Sequence, residues 1–183
     1  MKTIVGLSGS LRKASFNTTL LRAAAALAPK DVRLDVRTLH GVPLYDADLE
    51  ESSGIPKAVA ELKDAVAAAD GLILGTPEYN NGVPGVFKNA IDWLSRPPAD
   101  IKRVFGGKPI ALVGASPGGF GTTLSQAAWL PVLRTLGTRT WAGGRLMVSR
   151  AHTLVSPAGE LTDEKTRAAL RDFLRGFAEF VAR

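Results

Sequence analysis

The stretch GLILGTPEYNNGVPGVFKNAIDWLSRPP, residues 71–98, contains the pattern that decides the fold. Its first six residues are apolar enough for a strand in the middle of a sheet, and turn-forming residues follow. Pro84 then opens a segment with apolar residues at helical spacing, and Pro97 with Pro98 ends it. The stretch therefore predicts a strand, a loop and a helix in that order.

The same alternation extends in both directions along the chain. Strands are predicted at residues 3–8, 32–39, 71–76 and 109–114 and within 140–148, and helices near residues 20–27, 59–66, 84–94, 122–136 and 170–181. A length of 183 residues fits one domain. Five strands alternating with five helices predict an α/β fold in which residues 1–183 form a five-stranded parallel sheet with helices on both faces.

The composition excludes several classes of protein. The chain has no cysteine, which excludes disulfide scaffolds and thiolate metal sites. Its two histidines, His40 and His152, are too few for a histidine-rich metal centre, and we interpret both as ordinary surface or hydrogen-bonded residues. No apolar window is long enough for a membrane span, and the N-terminus becomes polar too soon for a secretory signal. We therefore expect a cytoplasmic protein.

The positive charge is concentrated in one part of the chain. The formal net charge is +6, and residues 101–159 contain seven Lys or Arg residues and no Asp or Glu. These seven residues are scattered through apolar segments without interleaved aromatics, a pattern that argues against a nucleic-acid surface. It favours a face that binds anionic small molecules.

Three polar loops follow the first, third and fourth predicted strands, and in sheets of this kind ligands bind beyond the carboxyl ends of the strands. The first loop, GSLRKASFN at residues 9–17, offers hydroxyls, the Asn17 amide, the charges of Arg12 and Lys13 and the start of a helix. Such a loop is suited to one phosphate group. Alternatively, Ser15 and Asn17 merely cap the helix.

The second loop contains PEYN, residues 77–80. A flat heterocycle held there could receive hydrogen bonds from backbone and amide groups while Tyr79 packs beside it. The alternative is an ordinary turn between a strand and a helix. Neither the Gly-x-Gly-x-x-Gly dinucleotide motif nor a Walker phosphate loop is present in the chain.

The third loop begins with GASPG, residues 114–118, which formally matches the Gly-x-Ser-x-Gly motif of serine hydrolases. Pro117 has no N–H for an oxyanion hole, and no Asp or Glu occurs between Ser116 and His152. We therefore reject a hydrolase. Ser116 is better interpreted as a hydrogen-bonding wall, and Gly118 and Gly119 would let the backbone approach a planar ligand.

Together, GSLRKASFN, PEYNNGVPGVFKNAIDWLSRP and GASPGGFGTTLSQ resemble the NADPH-dependent FMN reductase family, which includes bacterial quinone and chromate reductases. The resemblance covers the chain up to about Gly144 and implies a flavodoxin-like fold with non-covalently bound FMN. It implies that the FMN site consists of Ser10, Leu11, Arg12, Lys13, Ala14, Ser15, Phe16 and Asn17 for the phosphate, and of Pro77, Glu78, Tyr79, Asn80, Ser116, Gly118 and Gly119 for the ring.

The resemblance further implies an FMN-dependent oxidoreductase that transfers two electrons from NADPH or NADH to quinones, and also to chromate or azo compounds. It implies ping-pong chemistry without a catalytic acid or base from a side chain, and a homodimer or homotetramer in which a neighbouring subunit borders the flavin. Two alternatives stay open: an enzyme that uses free flavin as its substrate, and a flavodoxin-type electron carrier, which the basic charge disfavours. No metal, nucleic acid or membrane partner is expected.

Overall fold

A computed structural model describes residues 1–183. Six strands form one parallel sheet: β1 (Lys2–Ser8), β2 (Val32–Arg37), β3 (Gly71–Gly75), β4 (Pro109–Ala115), β5 (Arg139–Thr140) and β6 (Leu146–Val148). Seven helices accompany it: α1 (Phe16–Leu27), α2 (Ala47–Ser53), α3 (Lys57–Ala68), α4 (Gly85–Leu94), α5 (Ile101–Val104), α6 (Thr123–Thr135) and α7 (Glu164–Val181).

The strand order is β2-β1-β3-β4-β5, and β6 also pairs with β4. The chain moves from β1 to one side to form β2 and then returns past β1 to form β3, so the strand order reverses between β1 and β3. All residues of β3 are buried because it lies inside the sheet, whereas β2 alternates in exposure as an edge strand. This order and the helices on both faces agree with the predicted α/β architecture.

Two apolar cores cover the two faces of the sheet. One core contains residues of α3, α4, α5 and α6, and its largest side chains are Trp93, Trp129, Phe87 and Phe105. The other contains residues of α1 and α7, including Leu21 and Phe177. The five longer helices bury their apolar faces on the sheet, which leaves the polar loops at the strand ends as a rim. None of the helices combines the length and apolarity needed to cross a membrane.

The predicted fifth strand differs from the structure. The segment predicted at residues 140–148 forms two short strands, β5 and β6, which pair with the start and the end of β4. Between them Trp141 turns its ring towards α7, where it packs edge-on against Phe173 with 5.0 Å between the ring centres. A Cβ on Gly143 or Gly144 would lie within 2.6 Å of that ring. The packing of Trp141 therefore interrupts the strand. The sheet has six strands, because β5 and β6 lie one after the other along the same edge of β4.

Two of the seven helices, α2 and α5, were not predicted. They have seven and four residues. Helices this short contain too few turns to show an apolar period, so their sequences read as connecting segments. The predicted helices agree with the remaining five to within a few residues at most ends.

Candidate functional site

The loops after β1, β3 and β4 are joined to one another by direct hydrogen bonds. Gly9 N–H donates to Gly75 O at 2.9 Å, which ties the start of the first loop to the end of β3. A Cβ on Gly9 would lie 2.1 Å from the Phe87 ring, so the close approach of the first loop to α4 requires glycine. The structure thus brings the three predicted loops to one rim, at the point where the strand order reverses.

The first loop ends in the N-terminus of α1. Ser15 caps the helix, since its Oγ accepts the N–H of Thr18 at 3.2 Å. The N–H groups of Phe16 and Asn17 make no hydrogen bond within the chain. Arg12 and Lys13 are exposed and have no acidic partner within salt-bridge distance. Free amides at a positive helix end, beside two cations without acidic partners, are suited to an anion.

The Asn17 side chain supports the fold. Its Nδ2 donates to Ala115 O, and its Oδ1 accepts the N–H of Ala115, both at 2.9 Å. Asn17 is buried, with 3% of its surface exposed. Its amide therefore joins the first loop to the end of β4, and its backbone N–H is free for a ligand.

Ser10 lies at the junction of the first and second loops. It is buried, its Oγ accepts the N–H of Arg12 at 3.2 Å, and its Oγ lies 3.4 Å from Tyr79 Oη. Tyr79 is half exposed. The hydroxyls of Ser10 and Tyr79 therefore face the same space between the loops.

The second loop is a tight turn held by its own backbone. Tyr79 and Gly82 exchange two backbone hydrogen bonds, and Asn80 and Asn81 between them have φ values of 49° and 61°. Asparagine tolerates this left-handed conformation, so the NN pair suits a type I′ turn. The turn holds Tyr79 and Asn80 at the exposed tip of the loop.

Glu78 connects the second loop to the helix that follows the third. Its Oε2 accepts the N–H groups of Leu124 at 2.8 Å and Ser125 at 3.0 Å, at the start of α6. Thr122, the residue before α6, makes no side-chain cap. The Glu78 carboxylate therefore caps α6.

Thr76 was not predicted as a site residue, although it is the last residue before the second loop. Its fully buried hydroxyl donates to Pro77 O and accepts the indole N–H of Trp129, both at 3.0 Å, and lies 2.8 Å from Ser125 Oγ. These bonds hold the backbone of Pro77 against α6, which carries Trp129 and Ser125. Its position at the end of the central strand, directly before the second loop, is the sequence signal that could have identified it.

In the third loop, Ser116 Oγ donates to Gly121 O at 2.6 Å, and the histidine side-chain hydrogen bonds, both from His40, go to Thr38 and Leu11 instead. This contact agrees with the rejection of a serine hydrolase. A Cβ would meet nothing within 4 Å at Gly119, and only Ser116 Oγ, 3.6 Å away, at Gly118. Neither glycine has a positive φ. The fold itself does not require glycine at these two positions, so the open space beside them is available to a ligand.

The groups with shifted pKa values lie outside these loops. Burial lowers the pKa of Lys108, at the opposite end of β4, where its ammonium donates to Ala67 O and Ala69 O. Hydrogen bonds from Lys63 and, to a smaller extent, from Arg103 lower the pKa of Asp100. No group of three or more His, Asp or Glu side chains could hold a metal ion.

A cavity of about 280 Å³ lies beside the loops, between α6 and residues 140–147. Leu112, Ala127, Leu130, Trp141 and Met147 give it mainly apolar walls. The free amides, hydroxyls and unpaired cations described above lie at the three loops instead. We therefore assign the polar ligand site to the loops.

The chain matches known proteins along nearly its whole length. A family model described as NADPH-dependent FMN reductase matches residues 2–153. An NAD(P)H-dependent FMN reductase of Pseudomonas aeruginosa is 38% identical over 180 residues, 98% of this chain and 95% of that protein. A quinone reductase of Escherichia coli K12 is 36% identical over 182 residues, with coverage of 98% and 95%.

Among solved structures, the flavoenzyme NAD(P)H:(acceptor) oxidoreductase FerB of Paracoccus denitrificans superposes with a TM-score of 0.85 at 35% identity. The superposition covers 100% of this chain and 98% of that one. The match extends through β6 and α7, where the sequence patterns were least distinctive. The fold of this chain is flavodoxin-like, and the chain belongs to the NADPH-dependent FMN reductase family.

Proposed function

We propose that the protein is an NAD(P)H-dependent quinone reductase that holds FMN non-covalently at its three loops. One observation carries the proposal: free amides, unpaired cations and buried hydroxyls converge with an open, glycine-lined space at the point where the strand order reverses. An anionic tail and a flat polar ring are the two parts of FMN, and the rim offers a suitable surface for each.

The phosphate would lie against the first loop. The N–H groups of Phe16 and Asn17 would donate to its oxygens, the Ser10 hydroxyl would add a directed hydrogen bond, and Arg12 and Lys13 would balance the charge. Leu11 and Ala14 would contribute backbone contacts, and Ser15 would keep the helix end in place through its cap. Charge-assisted hydrogen bonds of this kind are about twice as strong as neutral ones.

The ring would lie between the second and third loops. Pro77, Glu78, Tyr79 and Asn80 would border one edge through backbone groups and the Tyr79 ring. Ser116, Gly118 and Gly119 would border the other, where the missing side chains leave room for a planar group. When bound, FMN would supply the redox chemistry, as the acceptor of a hydride from the nicotinamide and the donor of electrons to the quinone. The loops would orient it, and their N–H donors would favour negative charge at the ring edge.

The nicotinamide cofactor and the quinone would enter from the solvent side of this rim. Arg150 is exposed, has no acidic partner, and donates its backbone N–H to Gly118 O at 2.9 Å. With Arg12 and Lys13 it gives the rim a positive charge suited to the phosphates of NADPH or NADH. Quinones are the proposed acceptors, and chromate and azo compounds are further acceptors to be assayed.

We also propose that the chain assembles as a dimer or tetramer. Phe120, Leu124 and Leu130 are large apolar residues with 87%, 49% and 51% of their surface exposed, close to the third loop. An apolar surface next to a ligand site is suited to a neighbouring subunit that borders the flavin. Sedimentation analysis of the purified protein tests this, and a monomer at micromolar concentration would contradict it.

The test of the proposed function is an absorption spectrum of the purified protein after gel filtration, before and after addition of NADPH under argon. We expect a yellow protein with nearly one FMN per chain, bleaching within seconds, and recovery of the colour when a quinone is added. Colourless protein that reduces added FMN would favour the enzyme that uses free flavin. Bound flavin that stays oxidised for minutes would favour the electron carrier.

A further inference from the structure

His40 joins the loop after β2 to the loop that is proposed to hold the phosphate. Its Nε2 lies 3.2 Å from the carbonyl oxygen of Leu11, and its Nδ1 lies 3.1 Å from Thr38 Oγ1. Leu11 is 29 positions away along the chain, so this bond connects two separate segments. The preceding residue, Leu39, is 2% exposed and packs in the core, whereas His40 itself is exposed.

The segment at residues 10–14 has few other attachments. Leu11, Arg12, Lys13 and Ala14 are all exposed. No backbone–backbone hydrogen bond connects these residues to another element, and the Arg12 N–H bonds within the segment. The other hydrogen bond from the segment joins Ser10 to Tyr79 and is longer, at 3.4 Å, and the Arg12 guanidinium lies 5.8 Å from the centre of the Phe16 ring. The bond from His40 is therefore the shorter of the two hydrogen bonds that hold this segment on the molecule.

The contact works in either charge state of the imidazole. In the neutral ring with hydrogen on Nε2, Nε2 donates to Leu11 O and Nδ1 accepts from the Thr38 hydroxyl. In the imidazolium both nitrogens donate, and the Thr38 oxygen accepts. In both of these forms Nε2 donates to Leu11 O, and the contact with Thr38 orients the ring.

We propose that His40 is a positioning residue for phosphate recognition. By holding the Leu11 carbonyl, it keeps the backbone of residues 11–14 and the cations of Arg12 and Lys13 ordered before the ligand arrives. Ordering that segment costs conformational entropy, and a loop already held in place loses less of it on binding. The inference rests on the proposed function, and it concerns the phosphate end of the ligand and not its ring.

The test compares FMN with riboflavin, which has the same ring and no phosphate. Dissociation constants of the flavin-free protein for both ligands are measured by quenching of flavin fluorescence in the wild type, His40→Ala and His40→Gln. A glutamine side chain keeps an N–H donor at similar reach. His152→Ala removes the other histidine, whose side chain makes no hydrogen bond, and serves as the matched control. Urea unfolding of each flavin-free variant measures any general loss of stability.

We expect His40→Ala to weaken FMN binding about three- to tenfold, the loss of one hydrogen bond, with riboflavin binding unchanged. His40→Gln should recover most of the loss, and His152→Ala should match the wild type. Unchanged FMN affinity in His40→Ala, or an equal loss for both ligands, would overturn the inference and leave the proposed function intact. A wild type that does not bind FMN, or binds riboflavin as tightly, would overturn the proposed phosphate site and this inference with it.

Discussion

Asn17 and Ser10 belong to the same loop but make contacts of different kinds. The Asn17 amide satisfies both backbone groups of Ala115, which are buried at the end of β4. The Ser10 hydroxyl faces the space between the first and second loops. The first side chain supports the fold, and the second is available to a ligand.

Replacing Asn17 by alanine should therefore destabilise the flavin-free protein. The N–H and C=O of Ala115 would lose their partners inside the protein, which we expect to lower the free energy of unfolding by about 2–4 kcal/mol. Ser10→Ala should leave that free energy within about 1 kcal/mol of the wild type and weaken FMN binding. Urea unfolding and flavin titration of both variants measure the difference. Equal stability of Asn17→Ala and the wild type would contradict the assigned contact.

The sequence predicted only part of what these residues do. The cap formed by Ser15 was predictable, because a serine before an apolar helical pattern is a local signal. The pairing of Asn17 with Ala115 was not, because the two residues are 98 positions apart and nothing in either segment specifies the other. The bond between His40 and Leu11, 29 positions apart, was not predictable for the same reason. Local patterns located the loops, whereas the contacts between the loops depend on the assembled sheet.

At the scale of elements, α6 depends on a residue that is remote in sequence. Glu78 accepts the N–H groups of Leu124 and Ser125, and the negative charge of its carboxylate interacts favourably with the positive end of the helix. The second loop and α6 therefore stabilise each other. The sequence pointed to Glu78 as a site residue without indicating that its side chain caps α6.

Glu78→Ala should lower the free energy of unfolding by about 1–2 kcal/mol, the usual cost of losing a helix cap. Glu78→Gln keeps an acceptor oxygen and should lose less. Hydrogen exchange provides the local measurement: the amides of Leu124 and Ser125 should exchange faster in Glu78→Ala. Exchange rates that match the wild type at these two positions would show that the carboxylate does not cap α6.

The N-terminus of α7 provides a prediction about pH. Hydrogen bonds from the side chain and the backbone N–H of Thr166 hold the pKa of Asp163 below its usual value of 3.8. A carboxyl group whose pKa is lowered in the folded state stabilises the protein above the unfolded value, and this stabilisation is lost as pH falls through the folded pKa. Asp163→Asn should therefore show a shallower loss of stability below pH of about 4. Urea unfolding at several pH values tests it, and parallel curves for the two proteins would contradict it.

At the scale of the whole molecule, the parallel sheet and its two helical layers were predictable because strand and helix periods alternate along the chain. The interrupted fifth strand was not predictable. Its apolar residues suit a continuous strand, and the break depends on the packing of Trp141 against α7. The convergence of the three loops followed from the topology, since a reversal of strand order brings the carboxyl ends of β1, β3 and β4 to one rim.

Because the loops that form the proposed site are joined to three strands, bound FMN should stabilise the whole chain. A ligand that binds only the folded state adds about 2.7 kcal/mol at a concentration of 100 times its dissociation constant. For a domain of this size that corresponds to an increase in Tm of roughly 5–10 °C. Scanning calorimetry at increasing FMN concentration should show a single unfolding transition whose midpoint temperature rises. A second transition that stays at the flavin-free temperature at saturating FMN would mean that part of the sheet unfolds independently of the rim.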